Sequence, residues 1–180
     1  MVLSDEQQIK NLIFSVSLHR DRGEFDKVAA VFSHATFQTH YPAGYAGVGL
    51  SREEYESRAP GGHGVQRGAE EVEEIFAHLT LRYDEGLPWT HYVVSNVMLD
   101  LDDGARTATS WAYYTAYQSR PDFPLQPIAA GRYFDVFERV EGAWRFLSRD
   151  IYADHTGDLS RHMSHDPIAY GRQFESRHDR

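Results

Sequence analysis

Cysteine is absent from the 180 residues. That removes a disulfide framework, a cysteine-held zinc or iron–sulfur centre and a thiol nucleophile together. Positive charge is scarce as well: 18 Lys and Arg stand against 27 Asp and Glu, for a formal net charge of −9. A phosphate-binding surface needs clustered Lys and Arg, so this balance argues against nucleic acid as a partner. No apolar run approaches the roughly 18 residues of a membrane span. The start, Met1-Val2-Leu3-Ser4-Asp5-Glu6, is acidic where a secretory leader is basic and then apolar. A cytoplasmic protein with no membrane association is the expectation. One domain of this length buries about 70% of its unfolded surface, so a core needs no metal or disulfide to hold it.

The N-terminal third has helical periodicity. Ile9, Leu12, Ile13 and Val16 follow the spacing of one buried helix face. Ser4 with Gln7 suggests a capping box, and Gly23 ends the helix just after Asp21. Phe25, Val28, Ala29 and Phe32 predict a second, short helix, and residues 36–41 a first strand. From Pro42 to Gly68 lie seven of the fourteen glycines, which predicts a long loop without the Gly-Lys-Ser/Thr of a phosphate cradle. Val72, Ile75, Phe76 and Leu79 predict a third helix over about 69–79.

The second half is strand-like at 89–101, 105–118, 130–140 and 143–152, with turn signals at Asp102-Asp103-Gly104 and Glu141-Gly142. Residues 120–127, with three prolines, predict a longer connection. The domain is placed at 1–155, with a polar tail at 156–180. Helices followed by a long curved antiparallel sheet describe an α+β cone whose concave face leaves an internal pocket for a small apolar molecule.

With no thiol, the chemistry rests on carboxylates, histidines, tyrosines and arginines. Asp21 closes the first helix, where the negative helix end disfavours a carboxylate, so it needs a cationic or hydrogen-bonding partner. By position alone it also reads as a solvated residue between Arg20 and Arg22. His91 shares a strand face with Trp89, Val93, Ser95 and Val97, as a core histidine or as a base. Arg149 alternates with Arg145, Leu147 and Ile151, either aimed into a polar site or at the surface, paired with Asp135 or Asp150. Trp111 and Tyr113, with Tyr133 on the next strand, can wall a flat ligand, and Tyr41 adds a hydroxyl. Asp154, His155, Asp158, His162 and His165 form an acid- and histidine-rich stretch that fits no tight metal-ligand spacing, so no metal is assigned.

Several strings in order resemble the SnoaL-like branch of the NTF2-like superfamily. They are Ile9-x-x-Leu12-Ile13 leading to Asp21-x-Gly23-x-x-Asp26, Val31-Phe32, His91-x-x-x-x-Asn96, Gly131-x-Tyr133-x-Asp135-x-x-x-Arg139, and Gly142-x-Trp144-Arg145 ending at Arg149. The resemblance implies a cone of curved sheet around three helices. Within the branch the chain looks most like the scytalone dehydratase, lindane dehydrochlorinase and bile-acid dehydratase group. There, an aspartate of the first helix orients a histidine base, and in the dehydrochlorinase and bile-acid enzymes an arginine of the last strand steadies the leaving group or an oxyanion. The matching positions are Asp21, His91 and Arg149; Arg20 stands where the scytalone enzyme has a tyrosine. The implied chemistry is cofactor-independent elimination or isomerisation of a small hydrophobic ring compound such as a polyketide, steroid or terpenoid. The alternative is a non-catalytic ligand-binding or assembly module, since beta subunits of aromatic-ring dioxygenases share the fold. Related chains form dimers or trimers, so a homo-oligomer is expected, a trimer before a dimer.

Overall fold

The computed structural model describes residues 3–41, 63–102, 104, 106–164 and 177. The glycine-rich stretch predicted as a loop lies outside these residues from 42 to 62. Three helices, α1 (Asp5–Asp21), α2 (Phe25–Val31) and α3 (Gly68–Leu79), pack on the inner face of one six-stranded sheet. The strands are β1 (Thr36–His40), β2 (His63–Arg67), β3 (Thr90–Leu101), β4 (Thr107–Arg120), β5 (Phe123–Val140) and β6 (Ala143–Thr156). Their order is β2-β1-β6-β5-β4-β3; only the β1–β6 pair is parallel. None of the described helices is long and apolar enough to cross a membrane.

The Ser4 side chain caps α1 by accepting from the Gln7 N–H at 3.2 Å. The Gln7 side-chain Nε2 donates along the helix to Asn11 Oδ1 at 2.7 Å. Asp5 at the same end accepts from the Trp144 indole at 3.0 Å and from Arg139 at 3.2 Å, which pins the helix start to the β5–β6 hairpin. Ile9, Ile13 and Val16 turn inward and are buried. Gly23 stops the helix at φ +66°, and a Cβ there would lie 2.3 Å from the Gly86 carbonyl oxygen. Glycine satisfies both demands. The β5–β6 turn is Glu141-Gly142, both with positive φ, as a two-residue hairpin requires.

Bulges decide which side chains face the interior, since one extra residue reverses the alternation beyond it. In β3, Thr90 and Tyr92 point inward; Asn96 adopts φ +52° at a register break, after which Val97, Leu99 and Leu101 are the inward set. In β6, a break between Phe146 and Ser148 separates inward Trp144 and Phe146 from inward Arg149, Ile151 and Ala153. Simple alternation is therefore corrected twice. His91 and Val97 do not share a face, and neither do Arg145 and Arg149.

Three further expectations change. Residues 120–127 are not a loop: a two-residue turn, Pro121-Asp122, joins β4 to β5. Pro127 is accommodated at a register break, where a missing N–H breaks no regular ladder. The chain also does not leave the domain at 156. Residues 157–164 return across the end of α3, with Leu81 N–H donating to the His162 carbonyl and Ser164 N–H to the Leu79 carbonyl, each at 2.9 Å. Residues 63–67, which fall within the stretch expected as a loop, form β2.

Candidate functional site

The cone encloses a cavity with about 800 Å³ of atom-free space, mouth included. Its walls are mainly apolar, from Phe37 of β1, Ile75, Phe76 and Leu79 of α3, Ile151 and Ala153 of β6, and Leu159 and Met163 of the returning segment. A few polar groups converge among them: Arg20, Tyr92, Tyr114, His162, Gln66 and Tyr41. A mostly apolar concavity with few directed polar groups is the usual form of a small-molecule site.

Arg20, in the last turn of α1, lays its guanidinium over the Tyr92 ring (4.0 Å to the centroid) and near the Phe76 ring (4.9 Å). Its Nη2 donates to the Tyr92 hydroxyl oxygen at 2.7 Å. Among the described residues no carboxylate forms an ion pair with it. The Tyr92 hydroxyl lies 3.3 Å from His162 Nε2. Burial pushes the Tyr92 pKa up, so this hydroxyl keeps its proton and remains a donor. His162 is 4% exposed. Burial, and then the positive charge of Arg20, lower its pKa from 6.5 to about 3, so the imidazole is neutral. Its Nδ1 is buried with no hydrogen-bond partner among the described residues.

This neutral histidine makes stability pH-dependent. Between roughly pH 3 and 6.5 the unfolded chain takes up a proton that the folded chain refuses, so the contribution is full above pH 6.5 and lost on acidification. Urea unfolding across pH 4–6 should therefore show the wild type losing about 1 kcal/mol more per pH unit than a His162→Gln variant. Parallel slopes for the two proteins would refute a buried neutral His162.

Asp21 is adjacent to Arg20 but turns to the other side of the strand edge. Tyr92 N–H donates to both of its oxygens (3.1 and 3.0 Å), and Thr90 Oγ1 donates to Oδ1 at 3.1 Å. Burial raises the Asp21 pKa, with these bonds opposing the shift. The carboxylate ties α1 to β3 and so sets where Tyr92 enters the cavity. It lines a separate outer groove with Leu87, Trp89, Thr90, Ser119, Arg120 and Pro121.

The remaining expected residues separate. The expected inward face of His91 is corrected: its side chain is 77% exposed on the outer face, and Nδ1 lies 3.9 Å from Asp21 Oδ2, within ion-pair distance but beyond hydrogen-bond reach. Arg149 takes the second of its two readings, the pairing with Asp135, but buried rather than at the surface. It lies outside the cavity in a buried bidentate pair with Asp135, two bonds of 2.7 Å, and Ser110 adds a third contact to that carboxylate at 3.3 Å. Trp111 and Tyr113 point outward from β4, 40% and 52% exposed, because the inward residues of that strand are Ala112 and Tyr114. Tyr133 faces inward but sits behind Tyr114, the two rings stacked at 4.6 Å; burial moves its pKa to about 12. Of the four expected wall residues, only Tyr41 lines the cavity.

The acid- and histidine-rich stretch does not converge. Asp154 takes two bonds from Arg132, His155 and Asp158 are exposed, and His162 is in the cavity; His165 lies outside the described residues. Sequence reasoning placed His162 in the tail and Arg20 among departures from a motif. The available signal was parity: Thr90, Tyr92 and Val94 alternate as a second set beside His91, followed by an Asn that tolerates positive φ.

Comparison with known proteins agrees with the fold. An NTF2-like protein with a cystatin-like fold from Novosphingobium aromaticivorans aligns with a TM-score of 0.59 at 11% identity, over 87% of this chain and 86% of that one. The beta subunit of a putative aromatic-ring-hydroxylating dioxygenase from the same organism gives 0.60 at 15% identity, over 84% and 90%. ActVI-ORFA from Streptomyces coelicolor gives 0.59 at 13% identity, over 85% and 100%. No curated protein sequence matches. A model of the SnoaL-like domain matches residues 1–150, and with that coverage the chain belongs to the SnoaL-like family.

Proposed function

We propose that the cavity binds a small, largely apolar ring compound through one of its oxygens, a carboxylate, carbonyl or phenolic oxygen, held by Arg20 and Tyr92. The observation that carries this reading is the Arg20 cation on an apolar wall, with no carboxylate among the described residues in ion-pair range. A charge taken partly out of water calls for a counter-charge or strong acceptor, and charge-assisted bonds to a ligand oxygen supply one. Tyr92 already accepts from Arg20, so its own proton is available to the same oxygen.

A catalytic extension is favoured by the Arg20–Tyr92–His162 sequence of contacts. Tyr92 and Arg20 would stabilise negative charge developing on the ligand oxygen, while neutral His162 would take a proton from the ligand. This gives the dehydratase-like or isomerase-like chemistry implied by the resemblance a different set of residues, with no place for His91 or Arg149. The low pKa of His162 makes it a weak base, so binding is the primary reading and turnover the secondary one.

Titration calorimetry with 2-naphthoate tests the binding. The wild type and a His91→Ala variant should bind alike, and Arg20→Met should lose roughly a hundredfold in affinity. Equal affinity of Arg20→Met and wild type would overturn the reading.

A further inference from the structure

We infer that the ligand is polar at both ends: the cavity receives an acceptor oxygen at Arg20 and Tyr92, and a hydroxyl or N–H donor at Gln66, across an apolar middle. This rests on the cavity being a binding site and goes further by naming what the far end must carry.

Gln66 lies on β2, the sheet edge opposite the β3 strand that supplies Tyr92. Its residue is fully buried and lines the cavity. The amide Nε2 donates to the Gly64 carbonyl at 2.8 Å, which fixes the orientation of the group. Oε1 is then left as the acceptor, and among the described residues it has no hydrogen-bond partner. A buried acceptor without a donor is costly and uncommon in folded proteins.

Among the described residues four buried side-chain atoms are unpartnered, on Ser17, Gln66, Gln118 and His162. Only Gln66 and His162 belong to the cavity wall. His162 is at the Tyr92 end, so Gln66 alone marks the other. The two ends are joined by rings: Arg20 sits 4.9 Å from the Phe76 centroid, Phe76 lies 5.3 Å from Phe37, and Phe37 is the direct cross-strand partner of Gln66. An elongated aromatic or alicyclic compound with an acid or carbonyl at one end and a hydroxyl at the other meets all three regions. The unlike ends also favour one direction, because the reversed compound would set its carboxylate or carbonyl acceptor against the Gln66 Oε1 acceptor.

The test compares 2-naphthoate, 6-hydroxy-2-naphthoate and 6-methoxy-2-naphthoate by calorimetry on the wild type and on Gln66→Leu. The expected result is that wild type binds the hydroxy acid at least about tenfold more tightly than either analogue. In Gln66→Leu that preference should fall to about one, with 2-naphthoate still bound. The wild-type ranking alone decides the matter if the variant does not fold. Equal binding of the three acids by wild type overturns the inference and leaves the binding site standing. A hydroxyl preference that survives in folded Gln66→Leu also overturns the assignment to Gln66. Failure of all three acids to bind removes the site reading and the inference together.

Discussion

Arg149→Met is expected to lower stability by about 3–5 kcal/mol, because it leaves the Asp135 carboxylate buried without its partner. Both side chains are essentially inaccessible to water, and both guanidinium–carboxylate bonds are 2.7 Å. The guanidinium is also flanked by the Tyr133 and Phe146 rings, at 4.4 and 4.8 Å from their centroids. A double variant, Asp135→Leu with Arg149→Met, should recover most of the loss, since exchanging a buried pair for packed apolar groups is often neutral or better. Urea unfolding of the three proteins checks this. Full stability of the single variant, with a specific loss of turnover, would return Arg149 to a catalytic role.

The second large effect is expected at Gly131. A Cβ placed there would sit 1.8 Å from the backbone carbonyl oxygen of Tyr152, next to the register break between Ala130 and Arg132. Backbone cannot swing aside as a side-chain tip can, so Gly131→Ala must push β5 and β6 apart. Overpacking of this kind costs about 3 kcal/mol. The displaced strands carry Ala129 and Ala153 of the cavity wall, so 2-naphthoate affinity should fall together with the unfolding midpoint. Unchanged values for both would mean that the strands are not in the close approach described.

These two residues show what was readable from the chain and what was not. Gly131, Tyr133, Asp135 and Arg149 were singled out as strings of a family pattern, and the structure explains them through packing: a close backbone approach, a ring stacked on Tyr114, and a buried ion pair. The three helices, the Glu141-Gly142 hairpin and four long strands were legible because periodicity and turn chemistry are local. The inward faces were not. A bulge at Asn96 and another near Leu147 each reverse alternation, and neither changes the local preference for strand. His91 consequently looked like a core residue and is exposed, while Tyr92, one position later, enters the cavity. His162 was invisible for another reason. A polar, aperiodic segment reads as a tail, and long-range contacts such as the pairing of Thr80 with Met163 bring it back over the cavity.

Arg20 and Tyr92 make a donor-rich end within the apolar walls of the cavity, and Asp21 ties α1 to the β3 backbone at Tyr92.

A crystal structure of the protein soaked with 2-naphthoate tests the central claim most directly. The account predicts the ring system inside the cone against Phe76 and Tyr114, with the carboxylate within hydrogen-bond distance of the Arg20 guanidinium and the Tyr92 hydroxyl. An empty cone with the acid lodged in the outer groove beside Asp21, Trp89 and Arg120 would contradict it.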